Sequence, residues 1–313
     1  MLGKNAGGLF WMFRYLERSE NTARLLNAGF RMALTSGGSS EDEWKSILET
    51  AGQTTAYCAK YDNYEPAKVI DFLLRDRTNP FSVLSVVHRA RTNARMVRTN
   101  ITAEVWEATN ECWIVLYDLL SRPISEKNLP EALGIIRQKS ALVRGALHGT
   151  MLRNDSYNFA RLGTFIERAD NTARILDVKY YVLLPSISHI GSSLDNVQWE
   201  TILRSVSALR AFGWVNDGEM GQRGIADFLI LDRRLPRSLA FCSEQILGNM
   251  ERLCEEYEEE KPSLALAKAH RFSLKSGNID DIFDMGLHEF LEGFIHENNQ
   301  LAGQIEKDYR FSG

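Results

Sequence analysis

The chain has 313 residues, enough for one large domain or two moderate ones, with 44% hydrophobic and 25% charged residues, both ordinary for a soluble globular protein. A net charge of −4 excludes a global electrostatic pull toward nucleic acid or an anionic membrane. Seven prolines favour long helices over many short strands, and no apolar run approaches the ~20 residues of a membrane span.

In chain order, the N-terminal "MLGKNAGGLFWMFRYLER" lacks an apolar signal region, because Arg14, Glu17 and Arg18 arrive too soon. A cytoplasmic location is therefore expected. "GKNAGG" is too short for a phosphate loop and precedes no strand. Apolar residues at three- and four-residue spacing predict helices over 44–58, 67–76, 82–120, 131–151, 157–184, 199–213, 225–231, 237–259 and 279–307. Punctuation falls at "TSGGSSEDE", "SRPISEKNLPE", "LPSISHIGSS", "VNDGEMGQRG" and "EEEKPS". "SSEDE" and "ISEK" read as helix entries with early acid. Pro80 and Pro236 stand shortly before predicted helices, where a missing N–H costs little. No alternating strand competes, so the fold is expected to be all-α.

Three blocks recur in the same order. "FRYLERSENTARLL" at 13–26 returns as "GTFIERADNTARIL" at 163–176. "WKSIL" from Trp44 returns as "WETIL" from Trp199, and "DFLLRDRTNPFS" from Asp71 as "DFLILDRRLPRS" from Asp227. The pattern argues for a tandem duplication, with one repeat over about 1–125 and another over about 131–313 of a single domain. Two copies are too few for a solenoid, so a helical bundle of two pseudo-twofold-related repeats is expected.

On a helix, Tyr15, Leu16, Ser19, Thr22, Ala23 and Leu26 fall opposite Glu17, Glu20, Asn21 and Arg24, with Arg18 on the flank. The second copy sets Phe165, Ile166, Ala169, Thr172, Ala173 and Leu176 against Glu167, Asp170, Asn171 and Arg174. The polar residues are the better matched between copies, whereas a face meeting only water should drift faster than the core. Two readings stay open. Glu17, Arg18, Asn21, Arg24, Glu167, Arg168, Asn171 and Arg174 form a buried polar network, or they form a ligand site. Arginine forks suit carboxylate or phosphate, and Glu and Asn suit amines or amides.

"LFWMFRYLERSENTARLL" and "TMLRNDSYNFARLGTFIERADNTARILDVKYYVLLP" resemble the bacterial alpha-E family, all-helical proteins with a repeated ER motif. The resemblance implies an association with circularly permuted ATP-grasp ligases and transglutaminase-like proteins. It thereby implies a system that makes or trims amide-linked peptides. Two positions depart from the family's pattern: Phe13 where a glycine is usual, as at Gly163, and "RND" at Arg153–Asp155 in place of an Arg-Asp-Glu-type run.

Other candidates are weaker. His88, Arg91, Arg95 and Arg98 share a helical face that could hold an anion, and Arg153 could join such a site or cap a helix. His288, Glu292 and His296 permit a metal on one face but lack further ligands, so neither metal nor cofactor is expected. The cysteines Cys58, Cys112, Cys242 and Cys254 form no CxxC pair and read as reduced thiols. "EEYEEE" reads as a solvated helix end. The expectation is a non-catalytic accessory or binding subunit of the ATP-grasp-associated system, with Arg18, Arg24, Arg168 and Arg174 holding anionic groups. The alternatives are an enzyme using Glu17 or Glu167 as acid or base, and a structural scaffold.

Overall fold

A computed structural model describes residues 1–35, 40–182, 193–216 and 221–311. Within them the chain forms fifteen α-helices and no strand. The first seven are α1 (Gly3–Thr35), α2 (Ser40–Thr50), α3 (Thr54–Cys58), α4 (Pro66–Leu74), α5 (Val83–Met96), α6 (Ala103–Leu119) and α7 (Leu129–Thr150). The others are α8 (Asp155–Val182), α9 (Ser193–Ser205), α10 (Leu209–Val215), α11 (Gln222–Ile230), α12 (Leu239–Tyr257), α13 (Pro262–Ser276), α14 (Ile279–Met285) and α15 (Leu287–Asp308).

Several boundaries follow from local chemistry. Pro66, Pro130 and Pro262 occupy first turns, where the absent N–H has no helical partner to lose. The Ser82 and Ser238 hydroxyls accept from the backbone N–H of Ser85 and Phe241, capping α5 and α12 in the same way. Glu41, Asp42 and Glu43 stand in the first turn of α2, as "SSEDE" implies. Near "EEYEEE", α12 ends at Tyr257 with Glu258 left-handed at φ 50°.

The structure corrects four of the predicted helices and adds one. The 82–120 segment is two helices, α5 and α6, because Thr102 caps a new start after a short 3-10 turn. The 44–58 segment breaks at Gly52 (φ 65°), and 199–213 breaks at Ser207 (φ 57°). The 279–307 segment breaks at Gly286 (φ 106°), where each of these turns needs the left-handed side of φ. Helix α13 starts at the punctuation "EEEKPS" and covers a stretch for which no helix is predicted. The punctuation at 184–193 lies mostly outside the described residues, as do 36–39 and 217–220.

α1 and α8 pack on each other along their length and form the spine. On α1 rest α5 and α7, and on α8 rest α12 and α15. The outer pairs match as well, α5 with α6 and α12 with α13. The short helices α2 and α9 each pack on both spine helices. Helix α7, which a division at 131 assigns to the second half, packs into the first apolar cluster with Leu129, Leu133, Ile136, Val143 and Leu147. The two clusters flank the spine and each borrows from the other half: Leu9 and Phe10 join the second, and Tyr157 and Ala160 the first. Trp44 and Trp199 are equivalently buried, at 1% exposure each. Gly163 sets how closely the spine helices meet, since a Cβ there would stand 2.1 Å from the Phe10 carbonyl oxygen. Phe13, at the matching position of α1, is buried apolar filling instead.

Candidate functional site

The polar faces of α1 and α8 turn toward each other. Glu17 and Glu20 are 1% and 0% exposed, and Glu167 is 4% exposed. These carboxylates sit inside because each finds guanidinium partners there, without which burial would be prohibitive. Arg168 donates from Nε and Nη2 to the two Glu17 oxygens, both at 2.9 Å. Arg18 does the same for Glu167, at 2.5 and 2.8 Å. Each ER pair thus exchanges partners with the other: the Glu of one helix takes the Arg of its counterpart.

Three further arginines complete the network. Arg14, one turn before Arg18, donates to Glu167 at 3.1 Å. Arg144 from α7 pairs with Glu20 and stands 3.5 Å from Glu17. Arg237, in the turn before α12, donates to Glu20 and to Asn21 Oδ1 at 3.0 and 2.9 Å, and its Nη2 is 3.0 Å from Glu17. Burial raises the Glu17 pKa, but Arg168, Arg237 and Arg144 more than offset it and hold the carboxyl far below its usual range. Burial likewise raises Glu167, and Arg18 and Arg14 outweigh it. For Glu20, burial and Glu17 push upward while Arg237, Arg144 and Arg24 pull it down. Burial brings Arg237 down to about 10, still protonated at neutral pH.

Arg24 and Arg174 have matched, more local roles. Arg24 donates to Glu20 and to the Ser207 hydroxyl, and Arg174 donates from Nε and Nη2 to Asp170 at 2.7 and 3.2 Å. The expectation that Arg18, Arg24, Arg168 and Arg174 hold external anions meets this geometry: all four already face a carboxylate of the chain itself. Of the other named residues, Asn21 is buried and Asn171 half-buried, and both border the cavity described next.

A cavity of about 200 Å3 opens at one end of this network. It is bordered by Arg18 and Asn21 of α1, the turn at Gly52, Phe81, and Glu167, Asp170, Asn171 and Arg174 of α8. That volume is below the roughly 300–1,000 Å3 of sites for drug-sized molecules and suits a single functional group.

The basic ridge finds these surroundings. Arg91 donates to Asn110 Oδ1 at 2.8 Å, Arg98 lies over Trp106, and Arg95 is exposed. Arg153 belongs to another element. Its guanidinium donates to the Met151 and His148 carbonyls, closing the C-terminal end of α7, and lies over the Tyr157 ring at 4.1 Å. His288 pairs with Asp177, and among the described residues no group of three His, Cys, Asp or Glu could hold a metal. The four cysteines are free thiols, and burial pushes Cys112 and Cys242 up to about 12.

Sequence reading missed Arg14, Arg144 and Arg237. Arg14 and Arg144 carry no local signal. Arg237 does: it interrupts a matched block, standing where the first copy has Phe81.

Residues 1–309 match the family described as a predicted alpha-helical domain with a conserved ER motif. No curated protein and no solved structure matches the chain.

Proposed function

We propose, from the premise that this chain belongs to the Alpha-E family, that it is a non-catalytic binding subunit whose ligand enters the cavity between α1 and α8. In this reading the crossed Glu–Arg pairs are internal ties that frame the cavity rather than reacting groups. One observation carries it. Glu17 and Glu167 are buried and each bonded to guanidinium groups that hold its pKa below the usual carboxylate range, whereas a general acid needs a raised pKa and a base needs free lone pairs. This supports the binding reading over the acid–base alternative with Glu17 or Glu167. The cavity retains the polar lining suited to a small amine- or amide-bearing group.

The wider setting we propose is the one the resemblance implies: a cytoplasmic, ATP-grasp-associated system that forms or processes amide-linked peptides. A circularly permuted ATP-grasp ligase and a transglutaminase-like protein would be its partners. Among the described residues no helix is long and apolar enough to cross a membrane, which accords with such a setting. Native affinity capture from the source cells tests it. Co-purification of an ATP-grasp-type protein is the expected result. Its absence under conditions that retain other complexes would overturn the association, and peptide turnover by the purified chain alone would overturn the non-catalytic reading.

A further inference from the structure

The cavity has a closed twin within the same chain. Glu17, Glu20, Asn21 and Arg24 of α1 match Glu167, Asp170, Asn171 and Arg174 of α8. The surrounding elements match too. Gly52 and Ser207 both adopt positive φ, at 65° and 57°, after α2 and α9. In both turns the next residue's N–H returns to a carbonyl five positions back, Gln53 to Leu48 at 2.9 Å and Ala208 to Leu203 at 2.7 Å. The Asp76 and Asp232 carboxylates each accept from the backbone N–H two residues on. Phe81 and Arg237 then occupy the same position, immediately before the capping Ser82 and Ser238.

At the closed end that position carries a guanidinium. Arg237 enters between Glu20 and Asn21 and is 7% exposed. At the open end Phe81 is 42% exposed, leaving Asp170 and Asn171 bordering empty space. Asp170 is one methylene shorter than Glu20, which leaves more room in front of it. Arg174 does not block a cation there. Arg174 takes both Asp170 oxygens, while Arg24 takes only Glu20 Oε1; yet Arg237 bonds that same Oε1, so a carboxylate oxygen already engaged by one guanidinium still accepts a second. Asn21 also borders the cavity: its Oδ1 is taken by Arg237, and its buried Nδ2 has no hydrogen-bond partner.

We propose that the open cavity binds an alkylguanidinium group, which Asp170 and Asn171 hold as Glu20 and Asn21 hold Arg237. The group would be carried either by a free small molecule or by an arginine side chain in a peptide. This deepens the binding reading above and rests on it.

Calorimetric titration of the full chain tests it with three probes: agmatine, the peptide acetyl-Gly-Arg-Gly-amide, and the same peptide with citrulline in place of arginine. At least one guanidinium probe is expected to bind at one per chain, and the citrulline peptide at least ten-fold more weakly. Binding of agmatine alone would indicate a free small molecule, binding of the arginine peptide alone a peptide-borne group, and binding of both recognition of the head group itself. Asp170→Asn should weaken binding at least ten-fold. Phe81→Arg, at a half-exposed position, should fill the cavity from within and abolish binding while the helical circular dichroism is retained. No binding of either guanidinium probe at millimolar concentration, equal binding of the citrulline peptide, or unchanged binding in Phe81→Arg would overturn the proposal. The capture experiment is independent: loss of the ATP-grasp partner with agmatine binding intact removes the proposed setting and leaves the site.

Discussion

Glu17 and Arg168 lie 151 positions apart and form a two-pronged ion pair with both contacts at 2.9 Å. Both residues are buried, Arg168 at 8% exposure. Such a pair ties the spine helices together through charge that could not stand alone in the interior.

Glu17→Gln removes the charge and leaves Arg168 and Arg237 facing a neutral amide. The expected loss is about 3–5 kcal/mol of unfolding free energy, the range for breaking one partner out of a buried pair. Chemical denaturation measures it. A loss below about 1 kcal/mol would contradict the assignment of Glu17 as a structural tie. Because Arg18 and Arg14 share Glu167, the same change there should be similarly costly.

Acid stability should fall in two stages. His270 is buried, and burial lowers its pKa to about 4. The folded state keeps it neutral while the unfolded chain takes up a proton below about pH 6.5, so stability declines as pH drops from about 6.5 toward 4. The depressed carboxylates Glu17, Glu20 and Glu167 add stability above about pH 4.5 that is lost as pH falls further. His288 acts oppositely: Asp177 raises its pKa, so its contribution is present below about pH 6.5 and fades above. Urea midpoints from pH 8 to 3 should show both declines, and His270→Gln should lessen the first without abolishing it, because burial and nearby arginines lower His148 to about 4 as well.

Gly163→Ala should separate α1 from α8, because the new Cβ would meet backbone rather than a movable side chain. A loss of about 1–3 kcal/mol is expected, as for other overpacked contacts. Gly145→Ala in α7 is the contrast. Nothing lies within 4 Å of its Cβ position, so the gain in helix propensity should stabilise by about 0.5–1 kcal/mol. Thermal midpoints moving in the same direction for the two variants would contradict this account.

Trp44→Ala and Trp199→Ala should each cost about 3–5 kcal/mol, since both indoles are 1% exposed. Nearly equal losses are expected from their equal burial. A difference above about 2 kcal/mol would show that the two halves bear load unequally.

The all-helical architecture was legible because three- and four-residue periodicity survives in nearly every segment. The importance of 17–24 and 167–174 was legible because polar residues matched better than apolar ones. That these faces look inward was legible only as one of two readings: Glu17 and Glu20 alternate with Leu16 and Ser19 around a helix buried on almost every side, so periodicity alone gives no outside. The break between α5 and α6 has no glycine or proline to announce it, only Thr102 as a cap. Arg144 and Arg237 reach Glu20 from 124 and 217 positions away, distances over which only tertiary packing decides proximity. Gly52 and Ser207 show the same limit from the other side, since a serine gives no warning of a left-handed turn.

The Arg237 guanidinium also fixes a number. By lodging between Glu20 and Asn21 it occupies one of two like-shaped berths, so the binding proposed for the other predicts a single guest per polypeptide. Saturation should therefore be hyperbolic in the monomer, with no room for cooperativity between halves.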